Sequence, residues 1–163
     1  GDGEGDRMKP VVMSTTKGFM IRIRNFEMAD IGRVMEIDEE AFLEGDANLY
    51  IELYKEWPEG FIVAERNERV IGFEILILTP EEEGRVFALA VDSRFRGKGV
   101  GRALLKTGFN LLRKYKIGFV RLEVRVSNWI AQRLYKSMGF TEIGFVPFYY
   151  KDGEAAILMR KVL

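Results

Sequence analysis

A mixed α/β sheet with helices on both faces is the fold this sequence predicts, and three observations lead to it. At 163 residues, with 47% hydrophobic and 31% charged residues, the chain has the size and composition of one soluble globular domain with a single core. Stretches of apolar alternation and stretches of helical spacing follow one another in the order β-α-α-β-β-β-α-β-α-β-β, with no internal repeat and no linker. The passage from strand to helix to strand through 85–126 implies a parallel central pair by the right-handed crossover rule, and the flanking hairpins make the sheet mixed.

Each element has its own signal. Residues 1–18 hold four glycines and three acids with little apolar periodicity, so a disordered extension is expected there and the folded domain is expected over 19–163. Phe19 to Phe26 alternates, with Phe19, Ile21 and Ile23 on one face, and reads as a strand. Met28 to Phe42 places Ile31, Val34, Met35, Ile37, Asp38 and Phe42 near helical spacing, and Asp46 to Trp57 reads as a second helix stopped by Pro58. Phe61 to Glu65 and Val70 to Leu78 form a hairpin around Asn67. Pro80 and the acidic Glu81-Glu82-Glu83-Gly84 break this hairpin from a strand over Arg85 to Asp92. The next helix carries Val100, Leu104, Gly108, Leu111 and Tyr115 on one face. Phe119 to Val126 is a strand, Ser127-Asn128 caps a helix running to Met138, and Gly139 sits where a left-handed C-terminal cap belongs. Phe140 to Phe145 and Glu154 to Val162 are the last strands, joined through Pro147, Tyr149, Tyr150 and the Asp152-Gly153 turn.

Composition excludes several chemistries. There is no Cys, which removes disulfides, thiolate metal sites and a cysteine acyl-enzyme. There is no His, which removes the commonest general base and the commonest metal ligand, so no metal is expected and proton transfer falls to Glu, Asp, Tyr, Lys or water. Formal net charge is zero, which gives no reason to expect nucleic acid or an anionic membrane as partner. No apolar run approaches the roughly 18 residues of a membrane span and the N-terminus lacks a signal-peptide layout, so a cytoplasmic location is expected.

The most informative stretch is Val86 to Leu105: a buried strand, a turn of alternating basic residues and glycines, and a helix start. That arrangement holds phosphate, because glycine lets the backbone approach closely and the first N–H groups of a helix point at the anion. A dinucleotide fingerprint needs glycine at position 102, which is Arg102, and a P-loop needs Ser or Thr after Lys98, where Gly99 stands. What fits is Arg-x-x-Gly-x-Gly, written as Arg96, Gly99 and Gly101. This pattern resembles the acyl-CoA pyrophosphate loop of the GNAT superfamily of N-acetyltransferases. The segment Leu122-Glu123-Val124-Arg125-Val126-Ser127-Asn128, followed by Ala131, Leu134-Tyr135 and Gly139-Phe140, is similar to that of RimI-like N-terminal protein acetyltransferases, which acetylate ribosomal-protein termini. The resemblance covers roughly 85–145 with the two motifs in register, and implies a GNAT-like fold.

The resemblance also implies roles. Acetyl-CoA would be the cosubstrate, its pyrophosphate held by the backbone of Arg96, Gly97, Lys98, Gly99, Val100, Gly101 and Arg102, with the three basic side chains adding charge. Leu89, Ala90 and Val91 would offer backbone groups to the pantetheine arm, although small aliphatic side chains suit any central strand. Asn128 matches a residue that touches the cofactor, and is equally a helix N-cap. Glu123 matches the proposed general base; the alternative is a carboxylate neutralised by Arg121 and Arg125 on its own strand face. Tyr135 matches the general acid that protonates the departing thiolate and a cofactor contact; the alternative is a core aromatic beside Ile130, Ala131, Leu134 and Met138. Tyr149 and Tyr150, followed by Asp152-Gly153-Glu154-Ala155, resemble a segment that lines the peptide groove; otherwise they pack a hairpin or a dimer contact. Phe42 falls at the other substrate-facing position.

Two departures bear on the substrate. Val146-Pro147-Phe148 stands where a basic residue usually precedes the tyrosine pair, and Phe42-Leu43 stands for Phe-Pro. The expected reaction is direct attack by a neutral amine, most of all a protein N-terminal α-amine. A small-molecule amine acetyltransferase and a non-catalytic CoA-binding module remain alternatives, and the oligomer is expected to be a monomer or homodimer.

Overall fold

Antiparallel pairing accounts for most of the strands in the computed structural model, which describes residues 7–163. The chain forms two compact units, one from the residues up to Ile77 with Ala88–Gly108, the other from Leu78–Phe87 with Phe109–Leu163. Strand β5 (Gly84–Val91) and helix α3 (Val100–Lys114) run through both. The mixed, mostly antiparallel α/β fold has eight strands and four α-helices among the described residues.

In the first unit the strand order is β1 (Val11–Ser14), β2 (Met20–Asn25), β3 (Phe61–Arg66), β4 (Arg69–Leu78), β5. β1 pairs antiparallel with β2, Val11 facing Ile23 and Ser14 facing Met20. A disordered 1–18 is therefore corrected for Val11–Ser14, and the observed order has one more strand at its front; residues 1–6 lie outside the described ones. The cause is physical: Val11 and Val12 are 48% and 67% exposed, so β1 has no buried face to leave a trace in the sequence and rests on its backbone ladder. Asn67 and Glu68 both adopt positive φ, 50° and 63°, which is what the two-residue β3–β4 hairpin requires.

Strand β4 shows why helices cover both faces of this unit. Its side chains alternate between faces. Phe73 meets Tyr50 of α2 (Ala47–Glu56) at 6.0 Å between ring centroids, within an aromatic cluster in which Phe26 stacks on Phe61 at 4.0 Å. Gly72, one residue earlier, faces the opposite way, where a Cβ would lie 3.3 Å from Leu104 and 3.4 Å from Val100 of α3. α1 (Ile31–Glu40) buries Val34 and Ile37.

In the second unit the order is β5, β6 (Phe119–Arg125), β8 (Ala156–Val162), β7 (Thr141–Val146). β5 and β6 are the expected parallel pair, registered at Gly84 with Val120 and Arg85 with Arg121. β6 buries Val120, Leu122 and Val124 and pairs antiparallel with β8 along its length. α4 (Trp129–Ser137) connects β6 to β7 and ends at Gly139, whose φ of 98° is the expected left-handed cap. Two details differ from expectation. Tyr115 lies beyond the end of α3 and is exposed, and Phe140 is a buried residue preceding an edge strand whose side chains face solvent.

Glu74 stands out within β4. It is fully buried, and neither carboxyl oxygen has a hydrogen-bond partner among the described residues. It sits beneath Gly108 of α3, where a Cβ would come within 2.2 Å of Glu74 Oε1, so only glycine fits over it. Burial pushes the Glu74 carboxyl well above its ordinary range. As pH rises past about 4.3 the unfolded chain therefore releases this proton first, and stability falls from there up to the point where folded Glu74 ionises. Glu74→Met removes this loss. The variant is expected to exceed the parent at pH 7 by about 1–3 kcal/mol, several degrees in Tm, with the gain shrinking as pH falls toward about 4.3 and levelling off below it. Thermal melts at pH 7 and pH 4 check this; equal stability at pH 7, or a gain that grows on acidification, contradicts it.

Candidate active site

The first unit builds a glycine loop at the end of β5. The backbone N–H of Asp92 donates to the Ile71 carbonyl at 2.8 Å, extending the β4–β5 contact past the last strand residue. The Asp92 carboxylate then caps a single 3-10 turn, Ser93–Phe95, by accepting from the Arg94 N–H at 2.9 Å. It also accepts from the Arg94 guanidinium at 2.9 and 3.2 Å and from the Arg33 guanidinium of α1. Hydrogen bonds from Arg94, joined by Arg33, hold the Asp92 carboxyl well below the usual carboxylate range against the opposing cost of burial. Arg33 Nε reaches the Val70 carbonyl at 2.9 Å, and the Ser93 N–H donates to Glu40 of α1 at 2.7 Å. One turn is thus tied to α1 and β4 by charged groups distant in sequence.

From this fixed start the chain runs through Arg96, whose Nε donates to the Val91 carbonyl at 3.3 Å, into Gly97 and Gly99, both left-handed with φ of 76° and 85°. The Ala103 N–H donates to the Gly99 carbonyl at 3.1 Å and opens α3. Helix geometry leaves the preceding N–H groups, those of Val100 and Gly101 among them, without an i−4 carbonyl, and the dipole adds positive potential there. Arg96 and Lys98 are exposed and Arg102 is half-buried. A backbone that closes on an anion with cations around it suits a diphosphate. Ala90 is buried and Leu89 and Val91 are half-buried on the strand leading in.

Phe42 belongs to the same unit. It follows α1 with φ of 55° and is exposed. The loop carrying it is drawn around buried Asp38, which accepts hydrogen bonds from the Tyr50 hydroxyl and from the Gly45 N–H, the latter at 3.0 Å. Burial raises the Asp38 pKa, and these two bonds oppose the rise. A Cβ at Gly45 would fall 2.2 Å from the Tyr50 hydroxyl, so this tight loop is specific to glycine.

The second unit gathers Glu123, Tyr149 and Tyr150, and the residue that joins them is Arg85. Arg85 Nε donates to Glu123 Oε2 at 2.9 Å, and its Nη2 donates to the Tyr149 hydroxyl at 3.1 Å. Glu123 is thus paired with an arginine, but from the neighbouring strand rather than from Arg121 or Arg125. Arg125 instead binds Asp152 at 2.8 Å and Glu154 at 2.9 Å, with its guanidinium 4.1 Å from the Tyr150 ring centre. Tyr149 and Tyr150 meet edge to face at 4.9 Å. Burial first, and nearby Glu123, push both phenols above their ordinary pKa, so they are hydrogen-bond donors at neutral pH.

Asn128 is the N-cap of α4, and Tyr135 lies within the helix seven residues further on. Asn128 Oδ1 accepts from the Ala131 N–H at 3.0 Å, the N-cap the sequence allowed, and the residue is exposed. Tyr135 is 8% exposed, its ring 5.7 Å from Phe140, as a core aromatic would be. The cap and the ring packing are each compatible with a second role. Sequence reasoning missed Arg33, Glu40 and Arg85, whose partners are 59, 53 and 38 residues away; no local pattern signals such pairs.

Comparison with known proteins agrees with this layout. Residues 31–140 match the family described as Acetyltransferase (GNAT). The chain is 35% identical over 160 residues to an N-alpha-acetyltransferase of Sulfurisphaera tokodaii, covering 90% of this chain and 96% of that protein. The structure of Ard1 from Thermoplasma volcanium superposes with a TM-score of 0.85 at 37% identity, covering 88% of this chain and 97% of that one. The ribosomal-protein-S18-alanine N-acetyltransferase from Escherichia coli gives 0.75 at 30% identity, covering 88% and 94%. The glycine loop and α4 both fall inside the matched span, and the chain belongs to the GNAT family of acetyltransferases.

Proposed function

We propose that this protein transfers the acetyl group of acetyl-CoA to the α-amine of protein N-termini. The observation that carries the choice of acceptor is the near full-length likeness to the N-alpha-acetyltransferase of Sulfurisphaera tokodaii. Proton energetics support it. Deprotonating an α-amine of pKa ~8 at pH 7 costs about 1.4 kcal/mol, against roughly 4.6 kcal/mol for a lysine of pKa ~10.4. A chain without histidine handles the first more easily.

In this reading the backbone from Arg96 to Arg102 binds the pyrophosphate, and Leu89–Val91 presents backbone groups along the pantetheine arm. Glu123, held by Arg85, takes the ammonium proton directly or through water, and the neutral amine attacks the thioester carbonyl. Backbone N–H groups at Leu89–Val91 stabilise the resulting oxyanion. Tyr135 supplies the proton that the departing CoA thiolate needs. The C–N bond forms first and the C–S bond breaks as the oxyanion collapses, while the second proton shed by the nitrogen returns through water to the Tyr135 oxygen; no acetylated enzyme forms, in keeping with the absence of cysteine. Phe42, Tyr149 and Tyr150 contact the incoming peptide.

The test is acetyl-CoA turnover against N-terminal peptides, lysine peptides with blocked termini, and small amines. Expected is a kcat/KM for at least one free N-terminus about tenfold or more above every lysine or small amine; a small amine or lysine as best acceptor overturns the proposal. In the same assay Glu123→Gln and Tyr135→Phe should each lower kcat about 100-fold or more while CoA affinity stays within about twofold. Unchanged kcat in either variant removes that residue from the mechanism.

A further inference from the structure

The turn between β1 and β2 rests on the glycine loop, and Thr15 is its point of contact. Thr15 is only 6% exposed. Its hydroxyl donates to the Lys98 carbonyl at 2.5 Å while accepting from the Lys17 and Phe19 N–H groups, each at 3.2 Å. A hydroxyl has one hydrogen and two lone pairs, so both acceptor sites belong to the hairpin and the single donor belongs to the loop. The hairpin itself is closed by Thr15 N–H to Phe19 carbonyl at 2.8 Å and Gly18 N–H to Thr15 carbonyl at 2.9 Å.

Peptide geometry passes this contact on to the anion site. The Lys98–Gly99 peptide is planar and trans, so its N–H points opposite to its carbonyl. A bond that draws the Lys98 carbonyl toward Thr15 therefore aims the Gly99 N–H away from the hairpin. Gly99 permits the approach: a Cβ there would lie 3.0 Å from Thr15 Cβ and 3.3 Å from Thr16 Oγ1, at a φ of 85°. A second contact holds the hairpin in place, with the Phe19 ring 6.0 Å from Phe95 in the turn before the loop and the Arg66 guanidinium 4.0 Å from the Phe19 ring centre.

We infer that Thr15 is a positioning residue for acyl-CoA binding, its hydroxyl orienting the Lys98–Gly99 peptide so that the Gly99 N–H faces the pyrophosphate. This rests on the reading that the loop holds the pyrophosphate. The loop's two left-handed glycines leave it many alternative conformations, and Thr15 selects one before the ligand arrives.

The test compares the full-length parent with Thr15→Val, which keeps the shape and loses the donor, and Thr15→Ser, which keeps the donor. Titration calorimetry with CoA and steady-state kinetics supply the readouts. Thr15→Val is expected to raise both the CoA Kd and the KM for acetyl-CoA roughly 5- to 30-fold, with kcat within about twofold of the parent. Thr15→Ser should lie within about twofold of the parent throughout. Unchanged Kd in Thr15→Val overturns the inference, as does a loss confined to kcat, or a Thr15→Ser variant as weak as Thr15→Val. Thr15→Cys, a weaker donor of similar size, gives the same comparison if Thr15→Val does not fold. A parent that does not bind CoA overturns the loop reading as well; a parent that binds, beside an unaffected Thr15→Val, overturns the Thr15 role alone.

Discussion

A backbone that is to hold an anion must aim several N–H groups at one point, and it can do so only where side chains stay out of the way. In the proposed reading this constraint governs the turn from β5 into α3. Gly97 and Gly99 supply left-handed φ values that other residues rarely adopt, and this same freedom makes the loop soft. The surrounding structure removes the softness from both ends. Asp92, gripped by Arg94 and Arg33, fixes the exit from β5, and Glu40 fixes the next N–H. Thr15 takes the Lys98 carbonyl near the entrance to α3. Buried or partly buried charges of this kind cost desolvation, and the fold offsets that cost by giving Asp92 several donors at once.

The second unit meets a different constraint, since an alternating strand must present charge on one face and apolar side chains on the other. β6 does so with Arg121, Glu123 and Arg125 against Val120, Leu122 and Val124. Two of these charges, Glu123 and Arg125, are held by partners from other elements. Arg125 ties the strand end to the 152–154 turn, and Arg85 joins Glu123 to Tyr149. A carboxylate held by an arginine that is itself anchored to a phenol has a fixed orientation, which suits the proton transfer proposed for Glu123.

Sequence reading recovers the elements whose signals are local. The β3–β4 turn at Asn67, the caps at Asn128 and Gly139 and the glycines before α3 all carry their geometry in their residue types. β1 escapes because exposed valines on an edge strand show no buried face, and with it escapes the support beneath Lys98. Arg85 escapes for another reason. It is registered opposite Arg121 and reaches Glu123 diagonally across the parallel β5–β6 pair from 38 residues away, a pairing that only the sheet register creates. Phe42, Tyr149 and Tyr150 are exposed or half-buried in the folded chain, yet their resemblance to a peptide-lining segment concerns what they touch, which the fold alone does not decide.

Everything proposed for this site rests on the Gly97–Gly101 backbone binding a pyrophosphate. The most direct measurement is an amide ¹H–¹⁵N titration with CoA and, separately, with pantetheine, which lacks the pyrophosphate. CoA is expected to shift the Gly99, Val100 and Gly101 amides strongly, and pantetheine to leave them in place. Amides that stay fixed when CoA binds, or that move equally with pantetheine, would contradict it.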